Sequence, residues 1–211
     1  MFIPKANRVD DIQEIHRFVN EFSFGILVSN SREKQENDLC LTGTHIPFVL
    51  SADEGQSGVL YAHLAKANPQ WKTLENQQVM VIFSGPHAYI SPTWYAKPPN
   101  VPTWNYAAVH AYGHVQLLNK NELLESLTAL TKTFEPALHT NTDTMPASYI
   151  DKLSAGIVGF KIEVSRWDAQ MKLGQNRSKI DQAEIYKELL NSTNLDANQL
   201  ASYMQKKLQV T

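Results

Sequence analysis

Short apolar runs rich in β-branched and aromatic residues recur along this sequence. Phe24-Gly-Ile-Leu-Val28, Val59-Leu-Tyr-Ala-His63, Val79-Met-Val-Ile-Phe83 and His87-Ala-Tyr-Ile-Ser91 each read as a strand, as do the longer stretches Trp104–Leu118 and Gly156–Val164. Loops such as Asp53–Gly58 and Ser84-Gly-Pro86 join neighbours across a tight turn. A parallel pair needs a crossover of a dozen or more residues, so strands joined this closely pair antiparallel. Leu39–Leu50 is a further strand, but Pro47 has no N–H to give a central ladder, so an edge or bulge is expected there. The pattern predicts a mainly β, antiparallel barrel with peripheral helices.

The helices come from a different period. Ile12, Ile15, Val19 and Phe22 recur at helical spacing and predict a helix from Val9 to Asn20. Asn119 or Asn121 would cap another running to Phe134, and Pro146 would start a shorter one. Two polar helical patterns follow, Gln182–Asn191 and Ala197–Leu208. The chain therefore divides into a barrel domain over residues 1–180 and a helical extension over 181–211, packed on the same domain.

Composition excludes several function classes. The net charge is −2 and no basic stripe is visible, which disfavours direct DNA binding. Cys40 is the single cysteine, so neither an internal disulfide nor a thiolate metal cluster is available. No apolar run reaches membrane-spanning length and no leader pattern opens the chain, so a cytoplasmic protein with no membrane partner is expected. His110 and His114 share a strand face but lie too far apart along it for one ion, and no metal site is expected. Gly-x-Ser-x-Gly, Gly-x-Gly-x-x-Gly and Gly-x-x-x-x-Gly-Lys are absent.

What remains is a ligand-binding pattern. In His63-Leu-Ala-Lys-Ala-Asn-Pro-Gln-Trp71 a strand runs into a short helix, Pro69–Glu75, with Asn68 as N-cap and Lys66 just before the turn. Unpaired N–H groups and a lysine there favour an anion; the same corner also reads as an ordinary junction with a solvated lysine. Thr44-His-Ile-Pro47 lies on one strand, Trp94, Tyr95 and Trp104 punctuate a loop rich in proline, and Lys172-Leu-Gly-Gln-Asn-Arg177 follows the last strand. A flavin mononucleotide needs a cationic phosphate pocket, flat apolar cover and polar contacts to its ring edge, and each part has a candidate here.

Six segments in order resemble the PaiB family: Met1-Phe-Ile-Pro4, Thr44-His-Ile-Pro-Phe48, His63–Trp71, Tyr89-Ile-Ser-Pro-Thr-Trp-Tyr95, Val101-Pro-Thr-Trp-Asn-Tyr106 and Lys172–Arg177. Members of that family are labelled FMN-binding negative transcriptional regulators, or protease synthase and sporulation negative regulatory proteins. The resemblance implies a split β-barrel homodimer with FMN in clefts between subunits. It places His63, Leu64, Ala65 and Lys66 near the phosphate, with Lys172 and Arg177 closing the site. Thr44, His45 and Ile46 would face the ring, and Trp94, Trp104 and Asn105 would line the cleft. Lys66 stands where arginine is frequent, losing a bidentate fork, and Gly174 stands where serine is common. The family label implies a regulator. Two alternatives are a flavin-dependent oxidoreductase of a small molecule and a haem-binding barrel with His45 or His63 as axial ligand.

Overall fold

The computed structural model describes residues 1–30, 41–138, 144 and 146–210; the expectations for Cys40 and His139 lie outside them. Seven strands form one sheet: β1 Phe24–Asn30, β2 Leu41–Pro47, β3 Val49–Ser51, β4 Val59–Ala65, β5 Gln78–Ile90, β6 Thr103–Leu117 and β7 Ile157–Lys172. Its order is β2-β1-β5-β6-β7-β4-β3. The helices are α1 Ile12–Glu21, α2 Lys120–Phe134, α3 Ala147–Ser154, α4 Lys179–Leu190 and α5 Leu195–Leu208. β1 pairs antiparallel with β2 and β5, and β4 pairs antiparallel with β3 and β7.

The two edge strands of this sheet are consecutive in the chain. Only Phe48 separates Pro47, the last residue of β2, from Val49, the first of β3. A flat sheet cannot bring its first and last strands within one residue of each other, so the sheet must curl. It stays split, because β2 and β3 do not pair. Phe48 sits at the seam and is buried edge-on against Phe83. Pro47 therefore ends an edge strand, where its missing N–H costs nothing.

Contacts divide the chain into two compact units. Residues 12–83 and 110–167 form the curled sheet with α1, α2 and α3, around a core that includes Phe18, Leu27, Leu60, Leu64, Phe160 and Ile162. Residues 1–11, 84–109 and 168–211 form the other unit, from the remaining lengths of β5, β6 and β7 with α4 and α5. Its core includes Ile90, Leu173, Ile185, Leu189, Leu200 and Met204.

Several boundaries differ from the sequence expectation, each for a local reason. Ser84-Gly-Pro86 is not a turn, and β5 runs through it. Pairing with β1 ends at Ile82, so Pro86 lies where β5 has lost that neighbour. The first helix starts at Ile12, not Val9, because the Val9 N–H is given to the Ala169 carbonyl and Arg8 bridges Gln170. β7 extends to Lys172, well beyond Val164. The start of α2 agrees with expectation: Asn119 caps it, and Glu122 returns a bond to the Asn119 N–H.

Candidate functional site

The corner after β4 is rigid, and its rigidity changes the reading of it as an anion site. Pro69–Thr73 is a single 3₁₀ turn. The Asn68 side chain accepts from the Gln70 N–H, the Asn68 N–H is given to Ala65, and the Lys66 N–H is given to Gly156 at 2.8 Å. The Trp71 indole donates to the Lys66 carbonyl at 2.9 Å. The backbone donors expected to await an anion at Lys66, Asn68 and Gln70 are thus taken. What the corner offers is the Lys66 ammonium, exposed on a fixed backbone.

Alternation along the strands sorts the other barrel residues. Leu64 points into the core, while His63 and Ala65 face the other way. On β2, Thr44 and Ile46 turn inward and His45 turns out. His45 stacks beside exposed Phe24, with ring centroids 6.1 Å apart, making a flat aromatic ledge outside the β1–β2 edge. Phe24 was not foreseen; in sequence it is one apolar residue in a strand, and only the fold shows its outward direction.

Burial lowers the His63 pKa from the ordinary 6.5 by penalising the charged imidazolium. The unfolded chain then binds a proton that the folded chain refuses, so His63 makes folding less favourable as pH falls through about 6.5. Denaturant midpoints at pH 7.5 and 5.5 should drop less for His63→Gln than for the wild type. An equal drop would show that His63 does not contribute to acid sensitivity.

In the other unit, five candidate residues occupy two faces. Trp104 is exposed and Asn105, its neighbour, is buried on the opposite side of β6. Trp104 lies 6.2 Å from Tyr89, edge to face, and borders an open hollow of about 260 Å³ that His87, Tyr106 and Ala107 also line. Trp94 is half-buried in a 3₁₀ turn capped by Ser91.

On the other face Lys172 donates to the Thr103 hydroxyl. Arg177 donates to Asn100 at 3.3 Å and lies 4.9 Å over the Tyr95 ring. Among the described residues neither cation pairs with a carboxylate. Asn105 is 3% exposed, and its side chain makes no hydrogen bond among the described residues. Gly174 lies beside it in the left-handed region, at φ +79°. A Cβ on Gly174 would stand 3.6 Å from Asn105 Nδ2 and 3.8 Å from Arg177 Cγ, in space the glycine leaves open. A serine there would be strained, so this loop is shaped for glycine. An amide lacking a partner, a glycine-lined space and two cations held only by neutral groups are a donor set that fits the anionic and carbonyl oxygens of FMN.

A family model described as "Putative FMN-binding domain" matches residues 1–166. The chain belongs to that family. It is 40% identical to the Protease synthase and sporulation protein PAI 2 of Bacillus subtilis, across 99% of this chain and 98% of that one. The PaiB resemblance read from the motifs therefore holds, and FMN is the cofactor of the family. Two solved structures share the split-barrel fold. The FAD and heme binding protein of Mycobacterium smegmatis has a TM-score of 0.59 at 13% identity, covering 79% of this chain and 73% of that one. The flavocytochrome Anf3 of Azotobacter vinelandii has a TM-score of 0.57 at 15% identity, covering 80% and 74%.

Among the described residues no helix is long and apolar enough to cross a membrane. They also contain no group of three or more His, Cys, Asp or Glu side chains placed to hold a metal ion.

Proposed function

We propose that the protein is an FMN-binding homodimer of the PaiB type that senses flavin and acts through another protein, not by reading DNA. The observation that carries the flavin reading is the Asn105 side chain, which makes no hydrogen bond among the described residues, beside Gly174 and flanked by Lys172 and Arg177. When bound, FMN supplies one- and two-electron chemistry. The chain's part is to hold the phosphate with cations and to present amide and aromatic groups to the ring. Trp104 lies on the face of β6 opposite Asn105, so under this reading its exposed ring supplies flat cover to the flavin of a second chain.

The dimer is supported by what one chain leaves unfinished. The hollow beside Trp104 is open, and at about 260 Å³ it falls below the roughly 300–1,000 Å³ of complete ligand sites. A second chain over exposed Trp104 and Tyr89 would bury aromatic surface and enclose the flavin in a cleft at the subunit interface. The net charge of −2 supports a protein partner, since DNA binding draws most of its affinity from phosphate neutralisation.

Freshly purified protein should be yellow, release FMN on denaturation and run as a dimer in light scattering. A colourless protein that leaves added FMN fluorescence unquenched would overturn the flavin reading, and a monomer in saturating FMN would overturn the interface cleft. Specific DNA binding that weakens steeply with salt would overturn the preference for a protein partner.

A further inference from the structure

We propose that the cavity walled by β3, β4 and α2 is a binding site in its own right, for the ammonium group and hydrocarbon stem of a small aliphatic amine. It lies wholly within the curled-sheet unit and does not rest on the flavin reading.

The cavity holds about 450 Å³, inside the roughly 300–1,000 Å³ range of ligand sites. Its walls follow from two periodicities. Val49 and Tyr61 stand opposite each other in the β3–β4 ladder, so their side chains leave the same face of the sheet, and both line the space. On α2, Glu122, Glu125, Ser126 and Ala129 recur at i, i+3, i+4 and i+7, a single stripe of the helix, and that stripe faces the cavity. Leu50 and Leu118 extend the apolar wall, while Glu54 joins the two α2 glutamates.

Three carboxylates here have no counter-charge. Among the described residues no lysine or arginine forms an ion pair with Glu54, Glu122 or Glu125. Lys120 pairs with Asp151 instead, and Lys161, opposite Tyr61 on β7, does not line the cavity. The Tyr61 phenol donates to Glu54 at 2.5 Å, and the Asn119 N–H donates to one Glu122 oxygen at 2.8 Å, so every carboxylate keeps acceptor capacity. Burial, the bond to Glu54 and the charges of Glu54, Glu122 and Glu125 push the Tyr61 pKa up to about 12. The negative potential that opposes a phenolate there favours a cation in the same space.

The cation is organic, not metallic. Among the described residues no three acidic side chains are placed to hold one metal ion, so these charges surround a volume and do not converge on a point. An ammonium offers three donors and no acceptor, which matches carboxylates that only accept. A hydrocarbon stem behind it matches the wall of Val49, Leu50, Leu118 and Ala129.

Isothermal titration calorimetry of the full chain with n-pentylamine tests the site. Saturable binding is expected, weaker by about threefold to fourfold for each methylene removed from the amine, and absent with 1-pentanol, which lacks the charge. Glu54→Gln and Glu125→Gln should each weaken it by about fivefold or more. Ala129→Leu exchanges one strong helix former for another and fills the cavity, so it should abolish binding at an unchanged melting temperature. The proposal is overturned if pentylamine gives no saturable heat, if pentanol binds equally well, or if both glutamine variants or Ala129→Leu bind like the wild type. The glutamine variants, at exposed positions, decide the matter should Ala129→Leu not fold. Tighter binding of N-acetyl-lysinamide than of pentylamine would assign the cavity to a lysine of a partner protein and overturn the small-amine reading.

Discussion

Replacing Lys172 and Arg177 together by alanine should weaken FMN binding by 100-fold or more while leaving the fold intact. Hydrogen bonds to charged groups contribute about 1.5–3 kcal/mol each, and roughly 1.4 kcal/mol is tenfold in affinity, so losing two such donors is a large deficit. The native structure spends little on these side chains: Lys172 meets the Thr103 hydroxyl, and Arg177 meets Asn100 and the Tyr95 ring. Arg177 is exposed and Lys172 half-buried, so neither removal opens the core.

The double variant should therefore melt within a few degrees of wild type, while titration with FMN shows the loss. Its affinity should also respond less to added salt, since fewer charges face the phosphate. Arg177→Lys should recover only part of the binding, because an ammonium cannot reproduce the planar fork. Unchanged FMN affinity in the double variant would place the phosphate elsewhere, with Lys66 the next candidate.

Much of this architecture was legible in the sequence, because short connections and period-two alternation leave few ways to pair such strands. The cap at Asn119 could be read because the signal is local: an asparagine, and a glutamate three residues on. What could not be read depends on partners distant in the chain. Gly85-Pro86 has turn chemistry, yet β5 continues through it, past Ile82 where its pairing with the distant β1 ends.

The candidate site divides in the same way. The motifs named Thr44, His45 and Ile46 together, yet adjacent strand residues face opposite sides, so only His45 turns outward. Trp104 and Asn105 separate for the same reason. Gln70 gave no sequence signal at all. Its four partner residues, Thr44, Ser29, Thr42 and Leu27, lie on two other strands, and a glutamine beside a proline turn is by default solvated.

Gly113→Ala should be the most damaging single substitution in the sheet. Gly113 lies within β6, whose neighbour β7 crosses so closely that a Cβ there would stand 2.2 Å from the Glu163 carbonyl oxygen and 2.7 Å from Ile162 Cγ2. The first obstacle is backbone, so no rotamer change can relieve it; β7 itself would have to move. That strand is held on its other side as well, with Glu163 opposite Val59 and Ile162 opposite Leu60 on β4, so moving it strains a second ladder. The flanking positions Ala111 and Val115 are fully buried, and a shifted β6 would disturb their packing too.

A loss of more than about 3 kcal/mol is expected, from a total that for a single domain is only about 5–15 kcal/mol. The variant should accumulate in the insoluble fraction or melt at least about 6 °C below wild type. Gly43→Ala is the control in the same sheet: its Cβ would meet only Ile26 Cγ2, at 3.6 Å, an ordinary contact. Because glycine costs a strand conformational entropy, that change should be neutral or slightly stabilising. If both alanine variants melt alike, the close approach of β6 and β7 at Gly113 is not what the sheet requires there.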